Sequence, residues 1–293
     1  MRRVDAAMRA VKADRGETRP APTEACDPLR ESAAAPRITP AERKATPGNP
    51  MGRRPGLFAE LVAALPGKIV VDDTMAPSSR EQYRRLAASL HQAQAGSGMR
   101  LVMISSAVPG EGKTLTAANL SLTLSESYDR RVLLIDADLR RPSLHVLFRV
   151  PASPGLTDSL MTTEPRTLPT HRLSSNLSLM TSGAVNVDPM AGLTSPRLGQ
   201  ILTEARTAFD WVILDTPPVG LLSDASLLAD NVDTTLFVVK AEETPYDLAR
   251  RAVDILGAHR VLGIVLNRAD TNVHRYGYGY GYHARYRQVT PAG

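Results

Sequence analysis

The sequence predicts an α/β fold: a doubly wound, mainly parallel sheet with helices on both faces. Three observations carry this reading. Near-continuous apolar runs at 101–105, 132–135, 212–215, 235–239 and 261–266 have the character of parallel strands covered on both sides. Stretches of helical period at 114–126, 196–208 and 246–257 alternate with them. The first apolar run also ends in a glycine-rich loop that leads directly into a helix pattern.

Upstream of that loop the signals are shorter. Leu57 to Leu65 reads as a short helix stopped by Pro66-Gly67. Ile69-Val70-Val71 is a strand candidate. Ser79 to Gln94 reads as a helix capped by Ser78 or Ser79, with Tyr83, Leu86 and Leu90 on one face. Residues 151–190 carry little periodicity and read as a loop-rich insertion with a strand near Leu177 to Met180.

The loop, Ala107 to Thr114, reads A-V-P-G-E-G-K-T. Gly110 and Gly112 allow the backbone to turn inward, so that successive N–H groups surround phosphate oxygens. Lys113 can reach the outer phosphates and the Thr114 hydroxyl can ligate Mg2+. The helix start adds its positive dipole end at the same place. Gly110, Glu111, Gly112, Lys113, Thr114 and Leu115 form the expected nucleotide-binding set, and the sheet becomes one of the P-loop NTPase kind. The alternative, a chance glycine turn, explains neither the Lys-Thr pair nor the flanking strand and helix.

Acids end two of the apolar runs. In V-L-L-I-D-A-D-L-R-R-P, Asp136 and Asp138 sit at the carboxyl end of a strand, where such sheets bind ligands. Two carboxylates near a triphosphate can hold Mg2+ and accept a proton from a nucleophile. In W-V-I-L-D-T-P-P, Asp215 occupies the place of an acid that holds the metal through water, and Pro217-Pro218 turn the chain off the sheet. Thr114, Asp136 and Asp215 are the expected metal group. Lys113, Asp136 and Asp138 are the expected catalytic group. A strand-ending Asp that merely caps a turn is the competing reading for each acid. Asn267 and Arg268 end the last run and are candidates for the edge of a nucleotide base, a plain strand terminus being the alternative.

Composition bounds the rest. Residues 1–55 carry Arg, Pro, Ala and Glu without apolar periodicity, and are expected to form a disordered basic arm. Residues 56–270 suffice for one α/β domain. The chain has a net charge of +5. Much of the excess lies in the arm (Arg2, Arg3, Arg9, Lys12, Arg15 and Arg19) with no nucleic-acid-reading motif nearby, so no nucleic-acid partner is expected. The single cysteine, Cys26, excludes an intrachain disulfide and a cysteine-rich metal site. No apolar run approaches the ~18 residues of a membrane span, and no secretory signal is visible. A cytoplasmic location follows, with any membrane contact made through a partner.

The last segment, 271–293, contains Tyr276, Tyr278, Tyr280, Tyr282 and Tyr286, five of the eight tyrosines. Glycines separate the first four, which predicts a flexible tail. Such tyrosines can enter an active site as phosphoacceptors. Phosphorylating all five would add on the order of −8 to −10 charges to a segment with three arginines and no acid. A sticky tail used for stacking is the alternative.

In order and spacing, the loop, the D-x-D-x-R segment, the W-V-I-L-D-T-P-P run and the tyrosine cluster resemble the bacterial tyrosine kinases of capsule and exopolysaccharide synthesis, over roughly residues 75–286. The resemblance implies a P-loop protein-tyrosine autokinase that uses ATP and Mg2+ and phosphorylates tail tyrosines in a neighbouring copy. It implies a homo-oligomer of ring form, a transmembrane polysaccharide co-polymerase as adaptor, and a tyrosine phosphatase that reverses the modification. The chain is similar to the separate cytoplasmic type, at the inner face of the plasma membrane through its partner. Of the family's interface motif E-x-x-R-x-x-R, Glu81 and Arg84 are present and Ala87 stands third. A partition- or division-type positional ATPase is the main competitor. Val108 stands where those loops usually carry lysine, and the Gly-Tyr tail offers no amphipathic membrane helix. A nucleotide-binding scaffold without turnover is the third reading.

Overall fold

The computed structural model describes residues 55–162, 167–184, 189–220 and 223–269. The expected arm at 1–55 (all but its last residue) and the expected tail at 271–293, with its five tyrosines, lie outside the described residues.

Two helices come first, α1 (Pro55–Ala64) and α2 (Pro77–Ser97). Proline at the first position of α2 suits a site where no N–H partner is needed. The helix starts there, with Ala76 before it, and neither Ser78 nor Ser79 caps it as the sequence suggests. It ends at Gly98, whose φ of +70° is a left-handed cap, with its N–H on the Gln94 carbonyl at 2.7 Å.

Between α1 and α2 the expected strand at Ile69–Val71 is a run of turns. An apolar triplet alone does not make a strand without a neighbour to pair with. Ile69 is buried, and its surroundings are satisfied by side chains. Asn119 Oδ1 accepts from Val70 N–H at 2.9 Å, and Asn119 Nδ2 donates to the Lys68 carbonyl at 2.9 Å. Asp72 accepts from the N–H groups of Gly67 and Thr74.

The chain then enters β1 (Leu101–Ser106), α3 (Lys113–Leu122) with a π-helical turn at Thr123–Ser127, and β2 (Val132–Asp136). Short elements follow: α4 (Leu144–Leu147), α5 (Leu156–Met161), β3 (His171–Arg172), β4 (Leu177–Met180) and α6 (Met190–Leu193). The last part holds α7 (Pro196–Ala208), β5 (Trp211–Asp215), α8 (Asp224–Ala229), β6 (Thr234–Lys240), α9 (Tyr246–Leu256), a 3-10 turn (Ala258–Arg260) and β7 (Val261–Asn267).

Among the described residues the strands form one seven-stranded sheet in the order β3-β4-β2-β5-β1-β6-β7. Only β3 is antiparallel. Every residue of β1, β2 and β5 is buried, because both faces are covered. One apolar layer, with Leu61, Ala87, Leu90, Ala117 and Leu120, comes from α1, α2 and α3. The opposite layer, with Leu198, Ile201, Leu228 and Ala252, comes from α7, α8 and α9. Helices therefore lie on both faces, as the alternating pattern predicts. The strands sit within a residue or two of the predicted runs, and Leu177–Met180 coincides with its prediction.

The Asn119 bridge supports a testable expectation. Asn119→Ala removes the partner of the Val70 N–H and the Lys68 carbonyl in a partly buried setting, which costs about 1 kcal/mol in all. Urea unfolding followed by far-UV circular dichroism should show a lower midpoint at unchanged slope.

Candidate active site

β1 delivers the chain into the glycine loop, and α3 begins at Lys113. Gly110 and Gly112 have φ of +83° and +96°, left-handed values that glycine adopts at little cost. Gly112 also has no room for a side chain: a Cβ there would lie 2.0 Å from Asn267 Nδ2. The first backbone N–H groups of α3 point out of its start without intrahelical acceptors, as in every helix, and the loop wraps that end.

The loop is braced from within. Glu111 is 1% exposed. Its carboxylate accepts from Val108 N–H at 2.8 Å, from Lys240 N–H at 3.4 Å, and from the Thr244 hydroxyl. Its side chain thus faces the protein interior, and within the predicted nucleotide-binding set only its backbone is left for a phosphate. Asn267 Nδ2 donates to the Glu111 carbonyl at 2.8 Å, and Asn267 Oδ1 accepts from Arg268 N–H at 2.9 Å. Asn267 therefore braces the loop from the end of β7. Arg268 is exposed at the end of β7, with φ of +56°. Leu115 packs its side chain against the apolar layer under α3.

The acids converge as predicted from the strand ends. Asp136 and Asp215 are direct partners across β2 and β5. Asp136 Oδ2 accepts from the N–H groups of Ser143 and Leu144 at 3.0 and 2.9 Å, where α4 begins. Asp136 Oδ1 and Asp215 Oδ1 are both buried without a hydrogen-bond partner. The Thr114 hydroxyl hydrogen-bonds Asp215 and lies 3.4 Å from Ser143 Oγ. Burial pushes the Asp215 carboxyl up to about 8; Asp136 and Asp138 add to this, while Thr114 and Lys113 oppose it. Burial likewise raises Asp136 to about 6, with Asp138 adding and the Leu144 and Ser143 N–H groups opposing.

Two orphaned carboxylate oxygens beside a threonine hydroxyl suit a hard divalent cation. No cluster of three His, Cys, Asp or Glu among the described residues forms a closed metal cage. Mg2+ commonly takes one or two carboxylates and completes its shell with water and phosphate oxygens.

Asp138 lies two residues further along and is only half-buried, its Oδ1 accepting from Arg141 N–H at 3.0 Å. Arg140 clamps this segment to α8. Its Nε and Nη2 donate to Asp224 at 2.6 and 3.1 Å, a two-pronged pair on a carboxylate that is 2% exposed. Asp224, Ser143 and Thr244 were not singled out from sequence. Asp224 lies 84 residues from Arg140 and Thr244 lies 133 from Glu111, so the motifs showed the need for partners without showing where they were.

Glu81 and Arg84 are exposed on α2. Glu81 Oε1 accepts from Arg85 Nε at 3.3 Å. Ala87, third in the interface pattern, is fully buried in the apolar layer with Leu90.

A glycine loop folded onto a helix start, with acids at the ends of adjacent parallel strands, defines a P-loop nucleotide-binding protein. The family described as ParA, the NUBPL iron-transfer P-loop NTPases, matches residues 99–278. The chain is 35% identical over 203 residues to the tyrosine-protein kinase YwqD of Bacillus subtilis, covering 67% of this chain and 84% of that protein. It is 33% identical over 249 residues to the succinoglycan biosynthesis transport protein ExoP of Rhizobium meliloti, covering 76% of this chain but only 31% of that longer protein. The kinase domain of the Escherichia coli tyrosine kinase ETK superposes with a TM-score of 0.62 at 32% identity, over 71% of this chain and 83% of that domain. The chain belongs to the bacterial protein-tyrosine kinases, a branch of the ParA-type P-loop NTPases.

The carboxylate pair sets a pH dependence. Both folded-state values lie above the ordinary 3.8, so the folded chain holds protons that the unfolded chain releases. Their contribution to stability is full below about pH 4 and is lost as pH rises toward 8. In metal-free buffer, Asp215→Asn should gain thermal stability relative to the parent as pH rises from 5 to 8, by up to about 1.4 kcal/mol per pH unit. Melting curves in EDTA that stay parallel across this range would contradict the assignment.

Proposed function

We propose that the chain is an ATP-dependent tyrosine autokinase whose acceptors are Tyr276, Tyr278, Tyr280, Tyr282 and Tyr286 of a neighbouring copy. The observation that carries this is the pairing of Asp136 with Asp215, two buried carboxylates with free oxygens beside Thr114 at the end of a phosphate-binding loop. Thr114, Asp136 and Asp215 would hold Mg2+, which when bound neutralises phosphate charge. Lys113, 8% exposed, and the N–H groups of Gly110 to Leu115 hold and orient the triphosphate. The incoming tyrosine oxygen forms its bond to the γ-phosphorus as the bond from that phosphorus to the bridging oxygen breaks. ADP departs, and the phenolic proton passes to Asp138.

The wider role rests on resemblance. ExoP is named for succinoglycan biosynthesis and transport, and the same setting here gives the kinase a part in controlling exopolysaccharide or capsule polymerisation and export. No helix among the described residues is long and apolar enough to cross a membrane. A transmembrane co-polymerase is the partner that would hold the chain at the inner face, a tyrosine phosphatase would reset the tail, and Glu81 and Arg84 would contribute to contacts between copies.

Incubation with Mg-ATP followed by phosphosite mapping tests the reading. The parent chain should gain phosphate within 276–286, and Lys113→Met or Asp138→Asn should lower the rate about 100-fold or more. ATP hydrolysis without tail phosphorylation would favour a positional ATPase instead.

A further inference from the structure

β7 is the last strand of the described sheet, and it is an open edge. Its inner side pairs with β6 from Val261 to Asn267, the register shifting between Val261 and Gly263, and no strand among the described residues pairs with its outer side. Exposure alternates along it: Leu262, Ile264 and Leu266 are 43%, 48% and 58% exposed. Its sequence, V-L-G-I-V-L-N, has no lysine or proline, and past the register shift at its start the run from Gly263 to Asn267 pairs regularly with β6. An apolar open edge is a template for another strand.

The chain carries a segment of matching form. Tyr276 to Tyr282 reads Y-G-Y-G-Y-G-Y and has the same seven-residue length as β7. In an extended conformation its period of two puts four tyrosine rings on one face. Past the register shift, the exposed Ile264 and Leu266 have the same period. Eight residues, 268–275, separate the two segments. They begin with Arg268 in the left-handed region and include Asp270 and Asn272, residues that favour turns. No proline interrupts the chain before Pro291.

We propose that the unphosphorylated tail docks on its own chain, Tyr276–Tyr282 adding to the outer edge of β7 as an antiparallel strand with its rings over Leu262, Ile264 and Leu266. Aromatic rings over aliphatic side chains are favourable cross-strand pairs. Alternate glycines keep the added strand weak, so it exchanges with a free state. The short connection gives the tail a high effective concentration at this edge, which favours it over a second copy. Docked tyrosines are withheld from a kinase site. Each phosphate places roughly two negative charges against an apolar row, so a phosphorylated tail stays released. This regulatory half rests on the reading of these tyrosines as acceptors, whereas the docking itself does not.

Hydrogen exchange on the full chain without nucleotide tests it. The outward N–H groups of Val261–Asn267 should exchange about tenfold more slowly in the parent than in a chain with Tyr276, Tyr278, Tyr280 and Tyr282 all changed to Ser. That difference should not depend on protein concentration. Equal exchange in the two chains overturns the proposal. So does protection that disappears on dilution, which would mean that a second copy covers the edge. Ile264→Thr should also speed exchange at this edge and, with Mg-ATP, raise the initial rate of tail phosphorylation several-fold. An Ile264→Thr chain with unchanged exchange counts against docking. Absence of any phosphotyrosine would sink the kinase reading and leave the exchange result standing.

Discussion

Asp136 and Asp215 are brought side by side by the register of β2 on β5, and much of the site is arranged around that pair. Neither can be displaced alone, because sliding one strand by a residue would turn its acid to the other face of the sheet. Burial makes either charge costly, which is why both resist ionisation, and Asp136 adds to the effect on Asp215. Positive charge from Lys113, a hydroxyl from Thr114 and the N–H groups that open α4 offset only part of this. Such a corner suits a cation, and the loop beside it is of the nucleotide-binding kind.

The groups around this corner are held by residues from elsewhere in the fold. Glu111 ties the phosphate loop to the end of β6 and to Thr244, and Asn267 ties it to the end of β7. Arg140 ties the segment after β2 to the first turn of α8 through Asp224. Buried charged groups of this type are stabilising only while their partners remain, since losing one partner leaves the other desolvated and alone. The loop geometry therefore depends on three strands besides its own helix. The sheet order, with β1 between β5 and β6, brings those strand ends together.

The sequence disclosed the features with a repeating signal. Parallel strands covered on both sides leave unbroken apolar runs, so β1, β2, β5 and β6 were legible almost to the residue. The same signal misled at Ile69–Val71, where the run is buried by side-chain bridges and has no strand to pair with. The helices α4, α5, α6 and α8 have only four to six residues, too few to show a helical period. The glycine loop and the strand-end acids were readable because their spacing is local. The inward turn of Glu111, the role of Asn267 and the partner of Arg140 were not, because each depends on a residue more than eighty positions away.

The two-residue spacing of Asp136 and Asp138 separates their roles by depth. Asp136 and the intervening Ala137 are fully enclosed, and Asp215 is enclosed beside them. Asp138 is half-buried and has a backbone N–H of its own segment as partner. On the proposed kinase reading, a hydroxyl carried in by another segment would meet Asp138 before the other two. On that reading the enclosed pair would hold the cation and the outer acid would take the proton. The Arg140 clamp fixes this division, since it anchors the outer acid's segment to α8 while β2 fixes the inner one. A strand-end D-x-D on a P-loop sheet thus places an enclosed and a half-buried carboxylate on one short piece of chain.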